Sequence, residues 1–195
     1  MSTLTLAKSS EDTDIADDEL YEVIDGKRVR TPAMAAFATW IACELYRHLG
    51  NFANADLGRA VTEMLFHLPA PIDRDRRPDV AFVSYQRWAK NRPIPRQGRG
   101  WDVIPNIAAE VVSPTDIEEE LDDKIAEYFR AGVQLVWVVY PNQSKILAYS
   151  SPTQIKVVLR DDDLDAGELL PGFRLRLAEL FADAAEPLTS NGKSD

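Results

Sequence analysis

Three ionisable residues fall where a fold ought to avoid them. Glu110 stands inside the apolar run IAAEVV, residues 107 to 112, which reads as a buried strand. A lone buried carboxylate costs roughly several kcal/mol unless it is paired, protonated or bound to a cation. Asp79 follows Pro78 at the mouth of a second apolar run, DVAFVS. The proline fixes φ and removes a donor, which suits a strand entry, and RPDV offers the carboxylate no local partner. Lys124 lies three residues from Leu121 and four from Tyr128 in the stripe Ile117, Leu121, Ile125, Tyr128, Phe129, so it is on or beside the core face of a helix. A lysine there either snorkels to water, with Glu120 as its i−4 partner, or joins the two acids. Two acids and an ammonium, on two strands and the helix packed over them, make a divalent-metal site with a cation beside it.

The elements that must position these groups can be read from the hydrophobic period. YEVIDGKRVR predicts a hairpin about Asp25-Gly26, where both turn positions favour positive φ. Thr31 as N-cap, Pro32 at the first helical position and the stripe Met34, Phe37, Ala38, Ile41, Leu45, Leu49 predict an amphipathic helix ending at Gly50. Apolar segments at 59 to 68, 80 to 84 and 107 to 112 read as strands. Ser113-Pro114-Thr115-Asp116 reads as a capped helix start and Gly132 as its end. VQLVWVVY is apolar on both alternating faces, as a covered central strand must be, and SKILAY and QIKVVL read as a meander beyond it. Trp40 and Trp137 are expected in the core.

Length and composition add bounds. The chain has 195 residues, 45% of them hydrophobic and 28% charged, which is ordinary for one domain. Residues 20 to 182 are expected to form it, between disordered tails at 1 to 19 and 183 to 195. No uninterrupted apolar stretch reaches the ~18 residues of a membrane span, and a cytoplasmic protein is expected. Cys43 has no cysteine to pair with, and with His48 and His67 alone no zinc-site spacing can be assembled.

The formal net charge of −10 argues at first against a nucleic-acid partner. The acids are concentrated at the ends, however. Residues 73 to 99 carry eight bases (Arg74, Arg76, Arg77, Arg87, Lys90, Arg92, Arg96, Arg99) against Asp73, Asp75 and Asp79. Within this segment QRWAKNRPIPRQGRGW interleaves Trp88 and Trp101 with Lys90, Arg92, Arg96 and Arg99. Such mixtures suit base stacking with phosphate contact, and suit equally a surface loop whose tryptophans cover the core or a dimer interface.

RRPDVAFVS, PNIAAEVVSPTDIEEELDDKIAEYFRAGVQLVWVVYP and LPGFRLRLAELF together resemble the Uma-two family of restriction-endonuclease-like proteins in the PD-(D/E)XK nuclease superfamily, over about Tyr21 to Phe181. The resemblance implies an α/β fold with a mixed β-sheet flanked by two main helices, an N-terminal hairpin and a C-terminal meander. It implies that Asp79, Glu110 and the carbonyl of Val111 ligate Mg²⁺ or Mn²⁺, with Lys124 completing the catalytic group. Val112 stands where the superfamily usually has lysine; in this family the lysine is carried by the following helix. Leu135 and Tyr140 stand where members commonly have glutamate and aspartate. Glu22 matches a glutamate of the family's opening and Glu44 flanks the first helix; both read as structural.

The function so implied is metal-dependent hydrolysis of DNA phosphodiester bonds, with Arg92, Arg96 and Arg99 as nucleic-acid contacts and a homodimer as a possible assembly. The alternatives are a catalytically silent nucleic-acid-binding or regulatory protein that keeps the nuclease fold, and a protein-partner module of mobile-element origin.

Overall fold

A computed structural model describes residues 19–31, 33–96, 100–113 and 118–183. In chain order these form β1 (Tyr21–Ile24), β2 (Lys27–Arg30), α1 (Ala36–Leu57), β3 (Gly58–Thr62), β4 (Phe66–Leu68), β5 (Arg74–Arg76), β6 (Val80–Ser84), β7 (Ile107–Val111), α2 (Glu118–Ala131), β8 (Leu135–Tyr140), β9 (Lys145–Ser151), β10 (Gln154–Val158), β11 (Asp163–Asp165), β12 (Arg174–Arg176) and a final turn of helix, α3 (Leu177–Leu180). Six strands make the main sheet in the order β10-β9-β8-β7-β6-β3, parallel only between β7 and β8. A second sheet runs β2-β1-β5-β4.

Strand alternation divides the core in two. Ile107, Ala109 and Val111 of β7, with Trp137 and Val139 of β8 and Val80 and Phe82 of β6, pack against Ile41, Leu45 and Leu49 of α1. Ala108, Val136 and Val138 point the other way, to Ile125 and Tyr128 of α2. Glu110 shares the parity of Ala108, so its carboxylate is directed at α2. The β6–β7 register pairs Val80 with Ala109 and Ala81 with Ala108. One step further along, Asp79 stands opposite Glu110, on the same face.

Both ends of the first helix differ from the sequence expectation. The amide of Thr31 donates to the carbonyl of Leu20 at 3.0 Å, so the backbone there extends the hairpin, and the helix starts only after the extended Ala35. Gly50 does not end it, because the next turn buries Ala53. Trp40, expected in the core, is 46% exposed: the buried face of α1 is formed by Ala38, Ile41, Ala42, Leu45 and Leu49, and Trp40 lies off it. The apolar segment 59 to 68 is broken by Glu63 at φ 48°, which sends β3 to one sheet and β4 to the other. Residues 114–117, with Ile117 and most of the expected helix cap, lie outside the described residues, as do both tails apart from Glu19 and Asp183. At its other end α2 stops at Gly132, φ 100°.

Gly58, at the junction of α1 and β3, has no room for a side chain. A Cβ there would lie 2.7 Å or less from ring atoms of Phe82 and press on the carbonyl of Val83. Its φ of 168° is ordinary extended backbone, so the constraint is packing alone. Gly58→Ala is expected to destabilise the fold by about 1–3 kcal/mol through overpacking; a urea denaturation midpoint equal to that of the wild type would refute the close contact.

Candidate active site

Asp79, Glu110 and Lys124 line one cleft of about 290 Å³, between the end of β2 with the residues after it (Val29, Arg30, Thr31, Ala33, Met34) and the end of β7 with the first turn of α2 (Val111, Val112, Ser113, Glu120, Leu121). Lys124 does not snorkel to Glu120. Its Nζ lies 3.5 Å from Glu110 Oε2 and 3.2 Å from Glu22 Oε1. Helical spacing alone suggested the i−4 acid, but carboxylates delivered from the sheets are already fixed in place and cost less rotamer entropy to use.

The expectation that Asp79 lacks a partner is also corrected. Its Oδ2 accepts the amide of Val111 at 2.6 Å, across the two strand ends. No local pattern around RPDV could reveal a bond to a residue 32 positions away.

Glu110 is 7% exposed and accepts a hydrogen bond of 2.6 Å from the hydroxyl of Tyr128, itself fully buried. Sequence reasoning counted Tyr128 as part of the apolar stripe and missed this role. The available signal was its i+4 spacing from Lys124, which places both on the face turned to Glu110. Burial pushes the Glu110 carboxyl above its ordinary range; Lys124 opposes that rise and Glu22 adds to it. Burial likewise raises Tyr128 far above the usual phenol value, with Glu110 next in effect, so the hydroxyl keeps its proton and donates. For Lys124 burial works against the ammonium, but Glu110 and Glu22 outweigh it and its pKa rises.

Glu22, read as structural from the sequence, is 5% exposed and joins the cleft to a buried chain of alternating charge. Arg76 binds it at 2.7 Å and binds Glu127 of α2 at 2.7 Å; Arg74 bridges Glu127 and Asp25. The amide of Arg77 adds a further bond to Glu22 at 3.0 Å. Burial alone would raise the Glu22 pKa, yet Lys124 and Arg76 hold it below the ordinary value. Glu44 stays on the outer side of α1, paired with Arg47 at 2.5 Å, and takes no part in the cleft.

The basic segment is largely committed to the fold. Arg74 and Arg76 are in the ion chain, and Arg87 donates to the carbonyls of Ile104, Pro105 and Gly132. Trp88 and Trp101 are 3% and 1% exposed and pack with Phe66 against β6, which decides for core cover over base stacking. Arg92 lies over the ring of Trp88 at 3.6 Å and Arg96 is exposed. This loop leaves from Ser84, the end of β6 opposite Asp79, about 16 Å away at ~3.3 Å per residue. The structure thus does not bring Arg92 into the cleft, and Arg99 lies outside the described residues.

Among the described residues no three His, Cys, Asp or Glu side chains are grouped closely enough to hold a metal alone. The donors at the cleft are two carboxylates and, on the strand edge that Asp79 faces, the carbonyl of Val111, which leaves β7 on the same side as its amide. That all-oxygen set fits Mg²⁺, which retains several waters and needs few protein ligands. Each carboxylate has about four lone-pair sites, so the bonds from Tyr128, Lys124 and the Val111 amide leave capacity on both.

The charge chain has a pH signature. A carboxylate whose folded pKa is lowered contributes stability that is present above its unfolded pKa and lost as pH falls through the folded one. Glu22→Gln is expected to destabilise the protein by roughly 3 kcal/mol near neutrality, since it strips Arg76 and Lys124 of a partner. The gap to the wild type should close as pH falls below the ordinary carboxylate value of 4.5. Urea midpoints at neutral and acidic pH measure both, and a pH-independent gap would remove Glu22 from the chain.

Comparison with known structures supports the architecture. A crystal structure described as that of a putative nuclease belonging to DUF820 from Anabaena variabilis ATCC 29413 superposes with a TM-score of 0.69 at 19% identity, covering 83% of this chain and 89% of that one. The restriction-endonuclease-like fold implied by the sequence resemblance is thus the one observed. No curated protein matches the sequence. A family model does, over residues 9–178, and by that match the chain belongs to the Uma2 family, described as "Putative restriction endonuclease".

Proposed function

We propose that the chain is a divalent-metal-dependent endonuclease acting on DNA phosphodiester bonds. The observation that carries this reading is the placement of Asp79 and Glu110 as cross-strand neighbours opening into one cleft, with the Lys124 ammonium 3.5 Å from Glu110. Asp79, Glu110 and the Val111 carbonyl would hold Mg²⁺ or Mn²⁺. When bound, such an ion lowers the pKa of a coordinated water and offsets charge developing on phosphate oxygens. Lys124, held charged by its two carboxylates, orients the attacking water or stabilises the crowded phosphorus centre. Tyr128 fixes the Glu110 carboxylate from behind, and the Val111 amide fixes Asp79. Preorganisation of this kind is what makes charged groups effective where water is scarce.

A second reading, a silent nucleic-acid-binding protein with the nuclease fold, is favoured by one observation. Both carboxylates already have donors, so the cleft is self-consistent as it stands.

Two measurements separate these readings. Asp79→Asn retains an oxygen acceptor for the Val111 amide, so it should melt within a few degrees of the wild type while losing Mn²⁺-dependent nicking of supercoiled plasmid by about a hundredfold or more. Lys124→Met keeps the aliphatic stem and should lose nicking too, at some cost in stability from leaving Glu22 short of a cation. Calorimetric titration should show Mg²⁺ or Mn²⁺ binding to the wild type that Asp79→Asn weakens. Wild-type nicking retained in a well-folded Asp79→Asn, or no metal binding by the wild type, would sink the enzyme reading.

A further inference from the structure

Lys124 is shared between two carboxylates that stand in different places. Glu110 lines the cleft, whereas Glu22 is not among its described lining residues, although its cross-strand neighbour Val29 is. We propose that Glu22 is a positioning residue: it holds the Lys124 ammonium while a divalent cation takes Glu110, and so sets how tightly the cleft binds that cation. This inference rests on the metal-dependent reading of the cleft and deepens it.

The two cations compete for one carboxylate. Tyr128 donates to Glu110 Oε1 at 2.6 Å, and Lys124 Nζ stands 3.5 Å from Oε2. An ion held by Asp79 and Glu110 would therefore share Glu110 with an ammonium already beside it, and like charges at such range repel. Lys124 has little recourse to water, because its side chain is only 19% exposed. A buried ammonium that gives up one carboxylate needs another in reach.

Glu22 meets that need and is itself immobile. Its Oε1 lies 3.2 Å from Lys124 Nζ, nearer than the oxygen of Glu110. Arg76 Nη1 donates to Glu22 Oε2 at 2.7 Å, and the amide of Arg77 donates to Oε1 at 3.0 Å. Arg76 is anchored in turn by Glu127 of α2 at 2.7 Å. The carboxylate cannot follow the ammonium, so the ammonium comes to it. With Glu22 in place, Lys124 yields Glu110 and remains paired. Without it, Glu110 is the one carboxylate left to Lys124 among its described partners, and an entering cation must displace it.

Calorimetric titration with Mn²⁺ or Mg²⁺ alone, on wild type, Glu22→Gln, Lys124→Met and the double variant, tests this as a thermodynamic cycle. Glu22→Gln should weaken ion binding by about tenfold, since Lys124 then leans wholly on Glu110. Lys124→Met should tighten it by about tenfold, since the competing charge is gone. Adding Glu22→Gln to Lys124→Met should change the affinity by no more than about threefold, because Arg76 already offsets the Glu22 charge. Far-UV circular dichroism of each variant at the titration temperature checks that it is folded. Should Glu22→Gln fail that check, Glu22→Asp keeps a charge for Arg76 but withdraws it from Lys124 by one methylene. It too should weaken binding in the wild-type background and leave Lys124→Met unaffected.

A merely structural Glu22 would weaken binding equally in both backgrounds, and that result overturns the proposal. So does a folded Lys124→Met that binds the ions no more tightly than the wild type. Asp79→Asn keeps the two levels of failure apart. If the wild type binds neither ion, the metal-dependent reading falls and takes this role of Glu22 with it. If the wild type binds and Asp79→Asn weakens binding, but the cycle shows no coupling, the role of Glu22 alone is wrong.

Discussion

The structure is organised around the burial of the Glu110 carboxylate. A strand covered on both faces has no natural place for a charge, and desolvation there costs several kcal/mol unless donors are supplied. The neighbouring elements meet that need in steps. α2 contributes Tyr128 and Lys124 from positions four residues apart, and β1 contributes Glu22, which holds Lys124 in turn. Glu22 is itself buried and needs Arg76, which needs Glu127. One misplaced charge is therefore resolved by a relay that ties the hairpin, the second sheet, α2 and the main sheet together. The arrangement forgoes hydrophobic packing that apolar residues of the same volume would provide, a cost that accords with the active site proposed above.

How much of this could be read from the sequence depended on whether the signal was local. The apolar periods of β6, β7, β8 and the hairpin were legible because alternation and turn chemistry act over a few residues. Asp79, Glu110 and Lys124 could be picked out as charges on apolar elements, and the structure brings all three to one cleft. What could not be read was long-range. Thr31 looked like a helix cap, yet its amide is taken by Leu20. The bond from the Val111 amide to Asp79 joins residues with no shared pattern, and β5, β11 and β12, at three residues each, are too short to show a period.

Charge counting was misleading for a related reason. The run from 73 to 99 is basic as a string of letters, but a sum over sequence cannot say which cations have internal partners. Arg74 and Arg76 have Glu127, Glu22 and Asp25, and Arg87 has three carbonyls. The two tryptophans that made the loop look like a stacking platform instead close one side of the core, packed edge to face 5.4 Å apart.

The connectivity of the charge relay also sets an order of assembly. Glu22 and Arg76 are 54 positions apart and Arg76 and Glu127 are 51 apart, so the relay closes only when three distant segments have met. During synthesis the hairpin leaves the ribosome first, but its glutamate has no cation to hold until β5 follows, and Lys124 has no fixed geometry until α2 has been made and docked. The cleft therefore cannot be complete before α2 has docked. A chain released before α2 is complete could carry both acidic strand ends yet lack the ammonium that organises them.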